Sequence, residues 1–470
     1  MTPRTLEDTA IWRTIEDIIY SDYKPARRII TGELHTEKTD FPIVKITHLD
    51  TVRDYINNIG DIIHVEFKMS LGDYMDVLYP YRHNLEFSLK VKVLSDGDTP
   101  SKVKPGIDKF KAVFLPEANH NVGASETKLH DPDSMNMVDF IDVKLQLLNR
   151  SLEPLRIKTV MGIFKNASYR KLMYNIVGGE SIKVLVDGKP AIDAIDIVEP
   201  DNKIPPSQVV FPSSMPIVSI PTYLQEQVMG VYNAGIGTYL QVLKSKRIWY
   251  IYPLYNTGRF EKDSVDKIIF YVVPEKKLQL AERTYHVDGK VTNVIVASDR
   301  EYIDSAETTF MNKGVGFKLG DAQQFMTKPV KIVDEPKGPK SIKTDLNYQV
   351  MTVKRKDDLH YVPMSTERIS GNPFVEYTNV IVRKGAVITI TWQNSNYNAI
   401  YPGMPCRYIY MANNKPMQID GIIIHVHAIE TLHGKGIIDS EHKSSCIVTM
   451  FVVPSTSKPV PLKSKPFTIF

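Results

Sequence analysis

Residues 401–429, YPGMPCRYIYMANNKPMQIDGIIIHVHAI, lie in a run from Tyr377 to Val453 that reads as a meander of short antiparallel strands around one turn, Tyr401-Pro402-Gly403-Met404-Pro405. Cys406 to Met411 is the first strand, and a turn at Asn413-Asn414 leads to a second, Gly421 to Ile429. A loop rich in Gly, His and charge, His433 to Lys443, leads to a third, Ser445 to Val453. Just upstream, Arg383-Lys384-Gly385-Ala386 sits between Val380 and Val387–Ile390 and reads as a hairpin turn. Such an ending belongs to a small β-barrel or sandwich rather than to a catalytic α/β domain.

The chain has 470 residues, which suggests roughly three or four domains at about 100–200 residues each. Hydrophobic residues make up 43% and charged residues 24%, enough apolar content to build cores and too much for a disordered chain. Lys+Arg number 58 against 54 Asp+Glu, a balance that gives no argument for nucleic-acid or membrane binding. Two cysteines, Cys406 and Cys446, both inside expected strands, are not a disulfide scaffold and point to reduced, buried thiols. The charged N-terminus lacks the apolar core of a secretory signal, and no window approaches the length of a membrane span. Thirty prolines and 24 tyrosines, with many Val, Ile and Thr, favour short strands joined by defined loops.

Along the chain, Thr5 to Tyr23 is expected to form an amphipathic helix with Ile11, Ile15, Ile18 and Ile19 on one face. Phe41 to Val93 reads as β. Phe41, Ile43 and Ile46 sit in an early strand, and Asp54 to Gly60 is a turn-bearing link. In Asp61 to Ser70, Ile63, Val65 and Phe67 alternate with His64, Glu66 and Lys68. Leu85 to Leu94 puts Leu85, Phe87, Leu89, Val91 and Val93 on one face. Ser95 to Gly106 is an exposed excursion. Met137 to Leu148 is a strand whose parity shifts, so a bulge near Phe140 is expected.

Ser168 to Val177 has helical spacing, with Gly178-Gly179 expected to cap its end, and Asp187-Gly188 is a hairpin turn. Asn202 to Pro221 reads as extended. Tyr223 to Leu243 reads as a helix pair broken near Gly235, and Arg247 to Leu254 and Lys267 to Val273 as strands. The resulting division is a helical arm over 1–40, a first β-barrel domain with a long excursion over 41–136, a small α+β module over 137–200, a helix-containing α+β module over 201–326, a linker over 327–344 and a second β-barrel domain over 345–470.

No catalytic, cofactor-binding or metal residue is expected. G-x-S-x-G, H-E-x-x-H and phosphate-loop motifs are absent, and Gly235-Ile236-Gly237 lacks the third Gly of a dinucleotide loop. His425 and His427 share a strand face and could reach one metal with His433, Glu430 or Glu441, with His442 nearby. The competing reading is a polar strand face at a subunit contact or a lumen. Asp61, Glu66, Asp73 and Asp76 read as a wet strand face rather than a catalytic pair. Trp249, Tyr250, Tyr252 and Tyr255 read as rings packed in a core or interface, with a ligand platform as the alternative.

Asp61-Ile-Ile-His-Val-Glu-Phe-Lys-Met-Ser-Leu-Gly-Asp-Tyr74 resembles a first-barrel strand of the central hub proteins of contractile and related phage tails. Tyr401-Pro-Gly-Met404 and Gly421-Ile-Ile-Ile-His-Val-His427 are similar to their closing barrel. Phe41–Leu94, Met137–Val186, Tyr223–Val273 and Tyr377–Val453 would be the four modules in series, and residues 1–39 and 95–136 depart from that pattern. The resemblance implies a β-rich α+β, multi-domain chain with two small tube-like β-barrels and interposed α+β modules. It further implies a virion tail protein, assembled in the host cytoplasm and working as a homotrimer. That protein would join a trimeric spike to the sixfold tail tube, contact baseplate proteins and pass DNA through a lumen. The rival expectations are a receptor-binding tail protein and a β-rich carbohydrate-active tail enzyme, with Trp249 and Tyr250 as half of its groove.

Overall fold

The computed structural model describes residues 6–20, 27–43, 45–94, 104–114, 140–243, 246–262, 264–278, 284–297, 300–304, 317–319, 332–333, 352–353, 360–362, 372–412, 415–434, 441–453 and 458–459. The protein is β-rich α+β, and one large mixed sheet dominates it.

Within that sheet, pairings run antiparallel from Arg27–His35 through Leu85–Leu94, Gly106–Phe114, Phe140–Asn149, Ile62–Ser70 and Ile46–Asp54 to Lys415–His433. Glu441–Val452 then joins Lys415–His433 back to Arg27–His35, where His442 pairs with Arg28. The eight strands form a closed ring. Alternation explains its wall: Ile63, Val65, Phe67 and Met69 point inward, while Glu66 and Lys68 face out and pair across the strand gap with Lys144 (3.0 Å) and Asp142 (3.6 Å). The interior is filled, with Leu34, Phe67, Phe87, Val143, Leu145 and Leu147 fully buried.

The same two late strands also build a second arc. Lys415–His433 pairs antiparallel with Pro405–Ala412, which runs parallel to Lys267–Val273, itself parallel to Val291–Ala297. On the other side Glu441–Val452 pairs with Ala386–Gln393. Thr284 Oγ1 donates to Gln393 O (2.6 Å) and accepts from Trp392 Nε1 (2.9 Å), drawing the two ends of the arc together over a core that includes Phe270, Val294 and Tyr408.

A bulge interrupts the 19-residue strand shared by ring and arc. Its register shifts between Ile423 and His425, and Tyr55 N–H donates to the Ile424 carbonyl (3.0 Å). Ile419 and Ile423 before the bulge, and Val426 and Ala428 after it, stay in one core, while Ile422 and Ile424 turn to the opposite face with Phe451. The turn that enters the neighbouring strand Pro405–Ala412 is type II. Met404 N–H donates to Tyr401 O (3.2 Å), Pro402 holds the first corner, and Gly403 takes φ 72° at the second, where a Cβ would lie 2.3 Å from Tyr252.

The middle of the chain has its own core. A ribbon of Thr159–Lys165 against Gln208–Pro216 and a sheet of Ala194–Ile197, Lys246–Pro253 and Ile236–Leu243 enclose helical turns. The N-terminal helix Leu6–Ile19 sets Ile15 and Ile18 against Tyr271, Val273 and Ile295 outside the second arc.

Several sequence expectations fail for local reasons. Arg383-Lys384 ends a helix, Pro373–Lys384, instead of forming a hairpin turn: Asn372 caps it by accepting from Phe374 N–H (3.0 Å), and Pro373 fits its first turn. Gly178-Gly179 does not stop the helix after Ser168. Turns continue through Gly179–Ile182, because a bare Cα at Gly178 lets Ile195 approach, its Cγ2 3.2 Å from an ideal Cβ. Tyr223 to Leu243 is not a helix pair. The helical turns run Ile217–Ser219, Ile220–Tyr223 and Leu224–Val228, and the second half is the strand Ile236–Leu243, since Gly230 and Gly235 at positive φ end helical geometry. No bulge occurs at Phe140; the register with Ser70 is unbroken, the 141/143/145/147 parity wins, and Phe140 points to solvent. Val93 is also exposed, although its strand stays paired with Arg27–His35 through Leu94. The expected 95–106 excursion and 327–344 linker fall largely outside the described residues.

Candidate functional site

Where the first ring, the second arc and the middle region meet, the core is charged. Arg53, on Ile46–Asp54, donates from Nε to Asp61 Oδ2 (3.2 Å), from Nη1 to Tyr397 O (2.9 Å) and from Nη2 to Asn398 Oδ1 (3.2 Å). Tyr239 OH, from the middle sheet, donates to Asp61 Oδ1 (3.0 Å), and Gln241 Nε2 donates to Ile400 O (2.8 Å). The three bodies are therefore stitched by one network, and satisfying every polar atom is what makes such a buried network tolerable.

Beside it Arg28 pairs with Glu430, and both guanidiniums lie over the Tyr397 ring, at 5.3 Å for Arg28 and 5.1 Å for Arg53. Burial pushes the Glu430 carboxyl above its ordinary range, opposed by Arg28. A cavity of about 90 Å³ opens between Arg28, Arg53, Asp61, Asp108, Tyr397 and Glu430. Asp108 faces it with no hydrogen-bond or ion-pair partner among the described residues, and burial pushes its carboxyl up too. The cluster holds two cations and three carboxylates, and its hydrogen bonds and ion pairs fasten the ring, the arc and the middle region to one another.

The candidate metal residues do not assemble. His427 Nε2 meets Asp50 Oδ1 at 2.6 Å, and His64 Nδ1 lies 3.9 Å from Oδ2 of the same carboxylate, on the outer face of the ring. His425 sits across from Asp54, its imidazole held below the usual range by burial. Glu430 lies on the opposite strand face and points inward. His433 is exposed beside Thr431 (3.1 Å). His442 is buried, its Nδ1 accepting from Ile30 N–H (3.2 Å) and its Nε2 donating to Ile46 O (2.9 Å), an arrangement that keeps the ring neutral. Among the described residues no group of three His, Cys, Asp or Glu side chains gathers as metal ligands.

The carboxylates are likewise dispersed: Asp61 on Arg53, Glu66 on Lys144, Asp73 on Ser70, Asp76 in solvent. Trp249, Tyr250 and Tyr252 are buried, Trp249 donating to Thr238 Oγ1 (2.8 Å), so they are core and not a ligand platform. Arg28, Arg53 and Tyr397 carry the junction and no sequence reading singles them out. Only an arginine inside an alternating strand, at an inward position as Arg53 is, marks such a residue in advance.

One surface differs from the rest. On the 159–165/208–216 ribbon, Val160, Phe164, Val209 and Phe211 pack inward, yet Met161 (73% exposed), Ile163 (61%) and Val210 are apolar and face water. Among the described residues no third strand pairs with either outer edge of this two-stranded sheet. Pro212 and the irregular register from Phe211 to Met215 blunt the 208–216 edge, while the 159–165 edge has no such guard.

No family model matches the chain, and no curated protein matches it. Among solved structures, one that is similar is the 43 kDa tail protein of prophage MuSo2 from Shewanella oneidensis. That pair has a TM-score of 0.43 and 10% identity, over 91% of this chain and 100% of the other. A second is a Francisella PdpA–VgrG complex in a half-lidded form, with a TM-score of 0.40 and 12% identity. That match covers 98% of this chain and spans 64% of the other's length. At low identity, the chain is thus similar to a prophage tail protein and to a chain of a PdpA–VgrG complex.

Proposed function

We propose that the protein is a structural component of a phage-type tail, a homotrimeric hub that adapts a threefold spike to a sixfold tube. The observation that carries this reading is the fusion of a closed eight-strand ring and a second arc through two shared strands, Lys415–His433 and Glu441–Val452. In the proposal each unit is a tube-like barrel, so a chain contributes two wall segments held rigidly side by side. Three copies contribute six. Because the ring's interior is packed with side chains, any conduit runs between copies and not through one. The paired charges on the ring's outer face suit a wall that DNA passes without sticking. The open ribbon edge supports lateral association.

Solution mass and negative-stain microscopy test the reading. A particle of three times the 53.4 kDa chain mass, imaged as a ring with a central hole and six lobes, is expected. A protein that stays monomeric at about 10 μM, well above the range of specific assembly, overturns it.

A further inference from the structure

A groove of about 650 Å³, within the range of small-ligand sites (about 300–1,000 Å³), lies away from the charged junction. Its walls are the loop 55–59, the helical turns over 217–228, the start of Ile236–Leu243 and the helix Pro373–Lys384. The walls are held in place. Asp54 accepts from Ile56 N–H (3.0 Å), Asn57 N–H (3.1 Å) and Asn57 Nδ2 (2.7 Å), fixing the loop. Asn372 Nδ2 donates to Gln225 O (2.7 Å), seating the helix on the 217–228 turns. Tyr223 OH donates to Val210 O (2.9 Å), and Tyr255 sets its edge against Phe451, centroids 4.9 Å apart.

The lining has a definite chemistry. Tyr223 and Tyr255 supply rings, and Asn58, Ser219, Thr222, Glu226 and Asn379 supply polar side chains that have no partner among the described residues. Among the described residues Glu226 is the one acid, and no lysine or arginine lines the groove. An anionic ligand such as a phosphate or nucleic acid would meet a carboxylate with no cation to offset it. A purely apolar ligand would desolvate five polar groups without replacing their hydrogen bonds. An uncharged polyhydroxyl chain answers both demands, since its C–H faces stack on tyrosine and its hydroxyls both donate and accept.

We propose that this groove binds an uncharged oligosaccharide, with Tyr223 and Tyr255 as the stacking walls and Thr222, Asn379 and Glu226 as the hydrogen-bonding set. The proposal stands apart from the tail reading, because it needs one chain only. Isothermal titration of the full chain with chitotetraose and with maltotetraose tests it. Saturable binding of at least one sugar is expected, weakened at least about tenfold in Thr222→Ala/Asn379→Ala, whose melting temperature stays at the parent value because neither side chain has a partner to lose. Binding unchanged in that variant overturns the proposal. So does the absence of heat from both sugars at about 10 mM, a concentration that detects even weak sites. An uncharged peptide that binds where neither sugar does also overturns it.

Discussion

The wall of the eight-strand ring and the 159–165/208–216 ribbon are both antiparallel and both alternate, yet they treat water in opposite ways. The ring puts Phe67 and Phe87 inside and an ion-paired lattice of Glu66, Lys144, Lys68 and Asp142 outside. The ribbon has apolar residues on both faces, and Met161 and Ile163 contribute nothing to its own core. The ring's residues serve its folding, whereas the ribbon's outer face costs solubility and returns nothing to the isolated chain.

The largest expected effects should separate the two. Phe67→Ala empties a fully buried site and should lower unfolding free energy by about 3–5 kcal/mol. Ile163→Ala should move it by no more than about 0.5 kcal/mol. Urea titrations of the two variants measure the gap, and equal losses would show that the ribbon is not the open surface described here. Close behind, Arg28→Ala strands the buried Glu430 carboxylate and should cost about 3 kcal/mol at pH 7. The loss should shrink as pH falls. The folded-state pKa of Glu430 is raised, so its protonated form favours folding at low pH and that contribution is lost as pH rises through the raised value. A deficit that grows on acidification would contradict the assignment.

Gly403→Ala should cost about 1–3 kcal/mol, combining strain at positive φ with contact against Tyr252. Asp108→Asn should stabilise the ring at neutral pH by about 1 kcal/mol, since it replaces a part-buried carboxylate lacking a partner with a neutral isostere. It should also flatten the fall in stability that begins near the ordinary carboxylate value, about pH 4, and continues as pH rises to the raised value, read from melting temperatures upward from that pH. Smallest on folding, and sharpest on the comparison, is Ile163→Asp. Its unfolding curve should stay within about 0.5 kcal/mol of the parent. Any oligomer detected by sedimentation should dissociate; an unchanged sedimentation coefficient would place the contact elsewhere.

What was legible in the sequence tracks how local each cause is. The period-2 pattern of 61–70, the turn at Tyr401–Pro405 and the hairpin at Asp187-Gly188 depend on neighbours in sequence, and they stand in the structure as read. The 223–243 segment misleads because its apolar residues fit two periods, and only the sheet partner Lys246–Pro253 decides for a strand. Pro373–Lys384 escapes because its Val and Ile content favours strands, while the Asn372 cap and the packing of Phe374 at Gly230 hold a helix. The charged junction was out of reach, for Arg28 and Glu430 are 402 positions apart. His425 and His427 do share a face, but the bulge at Ile424 and the carboxylate of Asp50 give that face its company.

The two shared strands also set a timetable for making the protein. The first ring's opening strand, Arg27–His35, is synthesised well before the strands that close it, Lys415–His433 and Glu441–Val452; Arg28 and Glu430 are 402 positions apart. Until then a curved sheet must wait with the edge of Ile46–Asp54 uncovered, and with it the part of the Arg27–His35 edge that Asp40–Ile43 does not cover. Ring closure is therefore a late, high-contact-order step, slow compared with forming its hairpins. The nascent chain is most exposed to edge-to-edge aggregation in that interval, and a chain cut short before residue 415 leaves the ring open.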